Sequence, residues 1–213
     1  MNPDLNFKEN LAKNNDISEL EKKFSMGKIV GEGITGQVRL CTSKQDGTVW
    51  AMKSLNVSKM DAAQIDELRA EIQTLRKLDH PNIISIMEVF ESANDICIIL
   101  EHCDGGDLSQ RRFATESDVA SIVYQLAEAV SHCHHNNIVH RDLKMENIMF
   151  ASKDSDSIRL IDFGLSKKFL SKEDIIRNDK MLAEKSRMMK TACGTAFYMA
   201  PEMLTMSYSE KAE

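Results

Sequence analysis

Eight consecutive residues, His140-Arg141-Asp142-Leu143-Lys144-Met145-Glu146-Asn147, bring a carboxylate, an ammonium and a carboxamide into one short stretch. Phosphoryl transfer needs groups of this kind. Asp142 can orient an acceptor hydroxyl and take its proton, Lys144 can neutralise the migrating phosphoryl group, and Asn147 can offer an amide oxygen to Mg²⁺. A solvated charged turn draws on the same residue types, but it has no need of this order and spacing. Asp162-Phe163-Gly164 follows the apolar run 158–161 and supplies a second hard oxygen donor for Mg²⁺ at a strand end.

Upstream lies Gly31-x-Gly33-x-x-Gly36-x-Val38, between two β-prone runs. Glycine lets a backbone turn tightly and bring its N–H groups onto phosphate oxygens. A dinucleotide-binding loop would be followed by a helix, and 37–42 reads as strand; a plain Gly-rich hairpin stays open as the alternative. Val30, just before the first glycine, receives no role. Lys53 closes the apolar run 49–52, and Glu71 sits three residues after Leu68 and four before Leu75, on the inward side of a helix. Burying either charge unpaired would cost several kcal/mol. A Lys53–Glu71 pair resolves that and would aim Lys53 at nucleotide phosphates, the alternative being two unrelated residues at a helix shoulder. Gly194-Thr195 and Ala200-Pro201-Glu202 close the series.

The elements that must position these groups change character along the chain. Residues 1–23 are polar and read as a flexible arm, with a short helix at 17–23. Short β-prone runs at 28–30, 38–40 and 49–52 predict an antiparallel meander. Ile65, Leu68, Ile72, Leu75 and Leu78 recur at spacings of three and four, which predicts an amphipathic helix over 61–78, ended by Asp79-His80-Pro81-Asn82. Strands follow near 86–90 and 96–100, and then Gly105-Gly106 breaks the pattern like a hinge. Thr115-x-x-Asp118 resembles a capping box, opening a helix whose buried face would be Val119, Ile122, Val123, Leu126 and Val130. Short strands at 148–150 and 158–161 complete the reading.

All five motifs, in this order from residue 24 onward, resemble the eukaryotic protein kinases. Lys144 after Asp142 is similar to the Ser/Thr branch. Leu78-Asp79-His80-Pro81-Asn82-Ile83-Ile84 and Gly194-Thr195-Ala196-Phe197-Tyr198 look like the calcium/calmodulin-dependent group, most of all the calcium-dependent protein kinases of plants and protists. The resemblance implies an α+β, two-lobe fold with a five-stranded antiparallel sheet and one helix in the N-lobe. It implies lobes at 24–104 and 105–213, and ATP and Mg²⁺ as cofactors. It also places Ala51 and Val38 against adenine, Leu100 as gatekeeper, Glu101 and Cys103 as hinge contacts, and Thr195 near the acceptor. Asp107 and Glu146 match acidic positions that read a basic residue three places before the acceptor.

The chain departs from that pattern at Thr35, where an aromatic is usual, at Met145, where Pro is usual, in a short 108–113 stretch, and in an insertion around 172–185. Only eleven residues follow Glu202. The resemblance therefore implies a C-lobe truncated after this motif, a Glu202 without its Arg, and a partly exposed apolar face on the 119–130 helix. A non-catalytic nucleotide-binding module and an inactive fragment are the rival readings.

A net charge of −6 disfavours nucleic acid and anionic membranes. No apolar run is long enough to span a bilayer. Cys41, Cys97, Cys103, Cys133 and Cys193 form no CxxC pair, which reads as reduced thiols in a cytoplasmic protein. Partners would be a protein substrate and a regulatory or calcium-sensing protein, since no Asp-x-Asp-x-Asp-Gly calcium loop occurs in the sequence. His132, Cys133, His134 and His135 invite a metal reading, but helix-end histidines serve the C-terminal dipole. Residues 167–190 carry eight Lys or Arg against four Asp or Glu and read as a solvated insertion, with Ser186 and Thr191 as candidate phosphosites near Arg141.

Overall fold

The computed structural model describes residues 15–33, 36–113, 115–163, 167–168, 195, 198–201 and 212. Two compact units are formed, one from 1–79 and 84–102, the other from 80–83 and 103–213.

Alternation along the strands of the first unit, broken by register shifts in its second and fifth strands, gives its sheet two apolar faces. The strands are β1 (Asn15–Asp16), β2 (Phe24–Gly33), β3 (Gly36–Ser43), β4 (Val49–Asn56), β5 (Ile86–Glu91) and β6 (Asp95–Leu100), in the order β1-β5-β6-β4-β3-β2. On one face Phe24, Cys41, Met52, Phe90, Cys97 and Ile99 are buried together with Leu20. Their neighbours in sequence, Val89, Ile96 and Ile98, point the other way and pack with Ile72, Ile65 and Leu68 of helix α2 (Ala62–Leu75). Asp61 starts that helix by accepting from the Gln64 amide at 2.8 Å while Gln64 returns a bond to the Asp61 amide at 2.9 Å. The meander predicted from sequence is present, with longer strands.

The five-stranded sheet needs one correction. A sixth strand, β1, pairs in parallel with β5, Asn15 opposite Phe90 and Asp16 opposite Glu91. Two polar residues carry no alternating signature, so the sequence read them as part of a flexible arm. The short helix is there, as a 3₁₀ turn (Ile17–Glu19) running into α1 (Leu20–Lys23), and Leu20 is only 6% exposed. Burial of Ile17 and Leu20 against the sheet is what orders residues 15–23.

The second unit is built around α3 (Glu116–His135), capped reciprocally by Thr115 and Asp118. Two-stranded ribbons join β7 (Ile138–Val139) to β10 (Lys167–Lys168) and β8 (Ile148–Phe150) to β9 (Ile158–Leu160). The 108–113 stretch holds a single 3₁₀ turn, Leu108–Gln110. Of the face predicted for α3, Ile122 is buried and Leu126 and Val130 are half-buried, while Val119 and Val123 are exposed at 44% and 57%, matching the partial exposure expected of the 119–130 face; Ala129 and Cys133, not predicted, are buried as well. Small Ala129 and Cys133 carry the close contact, and an apolar-size pattern overlooks them. At the helix end Asn137 takes φ 60°, the left-handed turn that Asn tolerates and that sends the chain back toward the catalytic loop. The 80–83 stretch is held here by Asn82, whose Nδ2 donates to Gln125 Oε1 at 2.9 Å and to the Ile158 carbonyl at 3.1 Å.

No helix among the described residues is long and apolar enough to cross a membrane. Cys41, Cys97, Cys103 and Cys133 are buried and not joined in disulfides, and burial pushes the Cys41 thiol up to about 11. Cys193, Gly164, Thr35, the 172–185 insertion, Ser186, Thr191 and Glu202 lie outside the described residues.

Candidate active site

Strand register decides which side chains can meet in the first unit. Val38 lies opposite Lys53, Lys53 opposite Ile98, and Ala51 opposite Leu100. Residues directly across a ladder share a face, as do residues two apart in one strand. Val38, Ala51, Lys53 and Leu100 therefore share the face of Ile98, which is the face covered by α2 and so by the helix that carries Glu71. Gly31 pairs with Val38 and Gly33 with Gly36, so the glycine-rich turn caps the same two strands. At Gly36 the need for glycine is steric: φ is +133°, and a Cβ would lie 2.0 Å from the Ser54 carbonyl oxygen. Lys53 and Glu71 each take part in a polar interaction.

Between strand and hinge, the Glu101 amide donates to the Ser85 carbonyl at 3.0 Å. Cys103 is buried at 8% exposure. A Cβ on Gly105 would come within 2.5 Å of Phe150 Cβ, and Gly106 takes φ +76°, so the double glycine is required where this segment lies on β8.

In the second unit the carboxylate of Asp142 collects four donors. Oδ1 accepts from the Thr195 amide and from Thr195 Oγ1, both at 2.8 Å. Oδ2 accepts from Asn147 Nδ2 at 3.0 Å and lies 2.9 Å from Lys144 Nζ. Lys144 Nζ also donates to Thr195 Oγ1 at 2.9 Å, which closes a ring of three side chains. Burial pushes the Asp142 carboxyl up, but hydrogen bonds from Lys144, Thr195 and Asn147, together with the Lys144 charge, hold it below the usual carboxylate range. The group is therefore ionised at neutral pH and is a weak base that orients a hydroxyl well.

The amide nitrogen of Asn147 is spent on Asp142, bonding its carbonyl at 2.8 Å as well as its carboxylate. What Asn147 has left to offer is its amide oxygen. β8 and β9 pair Ile148 with Leu160, and the Ile161 amide donates to the Asn147 carbonyl at 2.9 Å, so Asn147 and Asp162 sit at the same end of one ribbon. A carboxylate and an amide oxygen there form a hard-oxygen donor set suited to Mg²⁺. Among the described residues no group of three or more His, Cys, Asp or Glu could hold a metal, which removes the histidine-cluster reading for that part of the chain.

His140 was singled out in the sequence only as part of its loop, and its role is the brace. Its ring is fully buried, with Nε2 2.9 Å from the Ile161 carbonyl and Nδ1 accepting from the Asp142 amide at 3.3 Å. Those partners require the neutral tautomer with its proton on Nε2. The ring also meets Phe163 edge-on at 4.7 Å. It thus fixes Asp142 on one side and both neighbours of Asp162 on the other. Arg141 adopts φ of 67°, a region in which side chains other than Asn and Asp are strained, so the loop depends on such bracing, while Asp162 at φ 60° is of a residue type that tolerates it. Asn82 was missed as an anchor, since its stretch reads in the sequence as a helix stop and as part of the Leu78–Ile84 resemblance, neither of which gives the amide a partner. An amide side chain flanked by Pro81 and the apolar Ile83-Ile84 was the available signal.

The protein kinase domain model matches residues 24–213. Calcium/calmodulin-dependent protein kinase type 1 of Macrobrachium nipponense is 38% identical over 91% of this chain, serine/threonine-protein kinase 33 of Mus musculus 33% over 93%, and calcium-dependent protein kinase 14 of Arabidopsis thaliana 33% over 92%. The chain spans 53%, 40% and 36% of those relatives' own lengths, respectively. With a domain model covering most of its length and the motif residues set out in the family's order, the chain belongs to the protein kinase family.

Proposed function

We propose that this chain transfers the γ-phosphoryl group of ATP to Ser or Thr hydroxyls of protein substrates. The observation that carries the reading is the four-donor setting of Asp142, which keeps a carboxylate ionised and aimed beside the ammonium of Lys144. In this reading Gly31, Gly33 and Gly36 bring backbone N–H groups to the phosphates, Val38, Ala51 and Leu100 enclose adenine, and Glu101 and Cys103 offer hinge backbone groups. Lys53, paired with Glu71, holds the phosphates. Asn147 and Asp162 would hold Mg²⁺, which would supply positive charge to offset that of the phosphates. Asp142 orients the acceptor hydroxyl, whose oxygen bonds to the γ-phosphorus as the bond to the bridging oxygen breaks and ADP departs. The hydroxyl proton passes to Asp142, and Lys144 offsets the charge on the transferring group.

Glu146 is exposed, and Asp107 caps the Leu108–Gln110 turn through bonds to Ser109 and Gln110. These two acidic positions support a preference for a basic residue three places before the acceptor. A calcium-sensing regulatory partner is suggested by what the relatives' names say of those proteins, and an ATP-dependent role fits an intracellular location.

The test is turnover of ATP·Mg²⁺ on a degenerate Ser/Thr peptide array by the chain and by Asp162→Asn. Transfer that the substitution abolishes, with Arg or Lys selected at the third position before the acceptor, supports the reading. Nucleotide binding with no transfer favours a binding module instead, and flat selectivity removes the basic preference.

A further inference from the structure

Two acidic side chains of β5 tie it to the segments on either side. Glu91 lies on the face covered by α2 and is bound by both Arg69 Nε, at 2.8 Å, and Arg69 Nη2. Glu88 lies on the opposite face. There it accepts from Asn15 Nδ2 at 2.5 Å and from Lys23 Nζ, so both ends of the 15–23 segment meet one half-buried carboxylate. Arg76, which caps the end of α2 and is 7% exposed, is near enough for the Glu88 charge to oppose the lowering that burial imposes on its guanidinium. β1 itself is hydrogen-bonded to β5 beside Phe90 and Glu91.

Helical spacing gives these contacts a direction. At about 100° per residue, Arg69 and Arg76 lie one above the other on one flank of the inward face of α2, Ile72, Leu68 and Leu75 occupy its middle, and Glu71 lies on the other flank. Holding the arginine flank therefore sets the roll of the helix. A carboxylate about 6 Å from the axis moves roughly 2 Å when the helix rolls by about 20°, enough to break an ion pair.

We propose that Asn15 and Lys23 are positioning residues for Glu71. The 15–23 segment straps β5 at the sheet edge through Glu88 and the β1 pairing, and Glu91, opposite Asp16 in that pairing, holds the middle of α2 through Arg69. This rests on the reading of Glu71 as the partner of Lys53. The strap would tune ATP affinity without touching nucleotide.

The test compares the chain with Asn15→Ala/Lys23→Ala, Glu88→Gln, Lys23→Arg and Glu71→Gln. Hydrogen exchange is followed in residues 66–76 and, as an internal reference, in α3, alongside KM for ATP and kcat. Exchange of the α2 amides should rise about tenfold in the first two variants, with α3 unchanged, as for loosening of one local unit. KM for ATP should rise severalfold with kcat changed less, and Lys23→Arg should restore both. The Lys23 side chain is 47% exposed, so its truncation tests the strap even if Glu88→Gln does not fold. Unchanged α2 exchange in the double variant overturns the proposal, as does loosening of α2 with ATP kinetics intact. Glu71→Gln should reproduce the KM change with α2 exchange unaltered; if its kinetics are normal, the reading of Glu71 fails while the strap stands.

Discussion

In the first unit Val38, Ala51, Lys53 and Leu100 owe their common face to strand register and apolar packing, whereas in the second unit Asp142, Lys144, Asn147 and Thr195 are held by hydrogen bonds to one another. The difference separates two failure modes. A sheet face backed by Val89, Ile96, Ile98 and Ile72 loses stability in proportion to the cavity a truncation leaves, and its polar residues are carried along passively. A ring of charged and hydroxyl groups loses its geometry when a single member goes, while the fold around it survives. Stability and activity should therefore respond to different substitutions in the two units.

The largest effect tests the polar half. Asp142→Asn keeps the shape but removes the charge that Lys144 and both Thr195 donors address. We expect kcat to fall by about 10²–10⁴-fold, the range for losing a proton-accepting group, with nucleotide affinity nearly unchanged. A loss of nucleotide binding equal to the loss of kcat would show that the ring supports the first unit's task as well. The apolar half is tested by Ile72→Ala, which should cost about 3 kcal/mol in urea unfolding followed by Trp50 fluorescence. Trp50 is the sole tryptophan and reports on the first unit's sheet. Next in size is Asn82→Ala, which removes one of the donors to the Ile158 carbonyl and one of those to Gln125 Oε1, leaving Arg159 and the Ile158 amide on them, and should cost about 1 kcal/mol. Hydrogen exchange in β9 and α3 would register it, and an unshifted exchange pattern there would mean that residues 80–83 are held by something other than this amide.

The same contrast explains what could be read from the amino-acid sequence. Apolar alternation and the spacing of Ile65, Leu68, Ile72 and Leu75 made the meander and α2 legible, because burial acts through the periodicities that residue order records. The catalytic segment was legible for another reason: Asp142, Lys144 and Asn147 are close in sequence, so one loop contains most of the ring. Thr195 lies 53 positions from Asp142, and its two bonds to that carboxylate follow from how the chain returns, which no local pattern encodes. β1 escaped because Asn15 and Asp16 are polar and gain their place from the free edge of β5 and from Leu20 behind them. Ala129 and Cys133 were left out of the inward face of α3 because small side chains weigh little in an apolar count.

The smallest predicted effect concerns a polar pair that belongs to neither scheme. His80 and His132 place their rings 5.0 Å apart at 36°, joining residues 80–83 to the last turn of α3, and His80 Nδ1 accepts from the Asn82 amide at 3.0 Å. Burial lowers the His80 pKa first and the nearby His132 charge lowers it further, with Glu128 opposing both. A histidine that takes up a proton less readily in the folded state than in the unfolded one contributes its full stability above the unfolded pKa, about 6.5, and loses it progressively as pH falls below that value. Protonating Nδ1 would also cancel its role as acceptor for the Asn82 amide, so acid loosens the anchor that Asn82→Ala would cut from the other side. Exchange protection of the α3 amides should be flat from pH 8 to 6.5 and fall between 6.5 and 5.5. His132→Phe keeps the ring contact but removes the second charge, and it should shallow that decline; an unaltered slope would place the pH sensitivity elsewhere in the second unit.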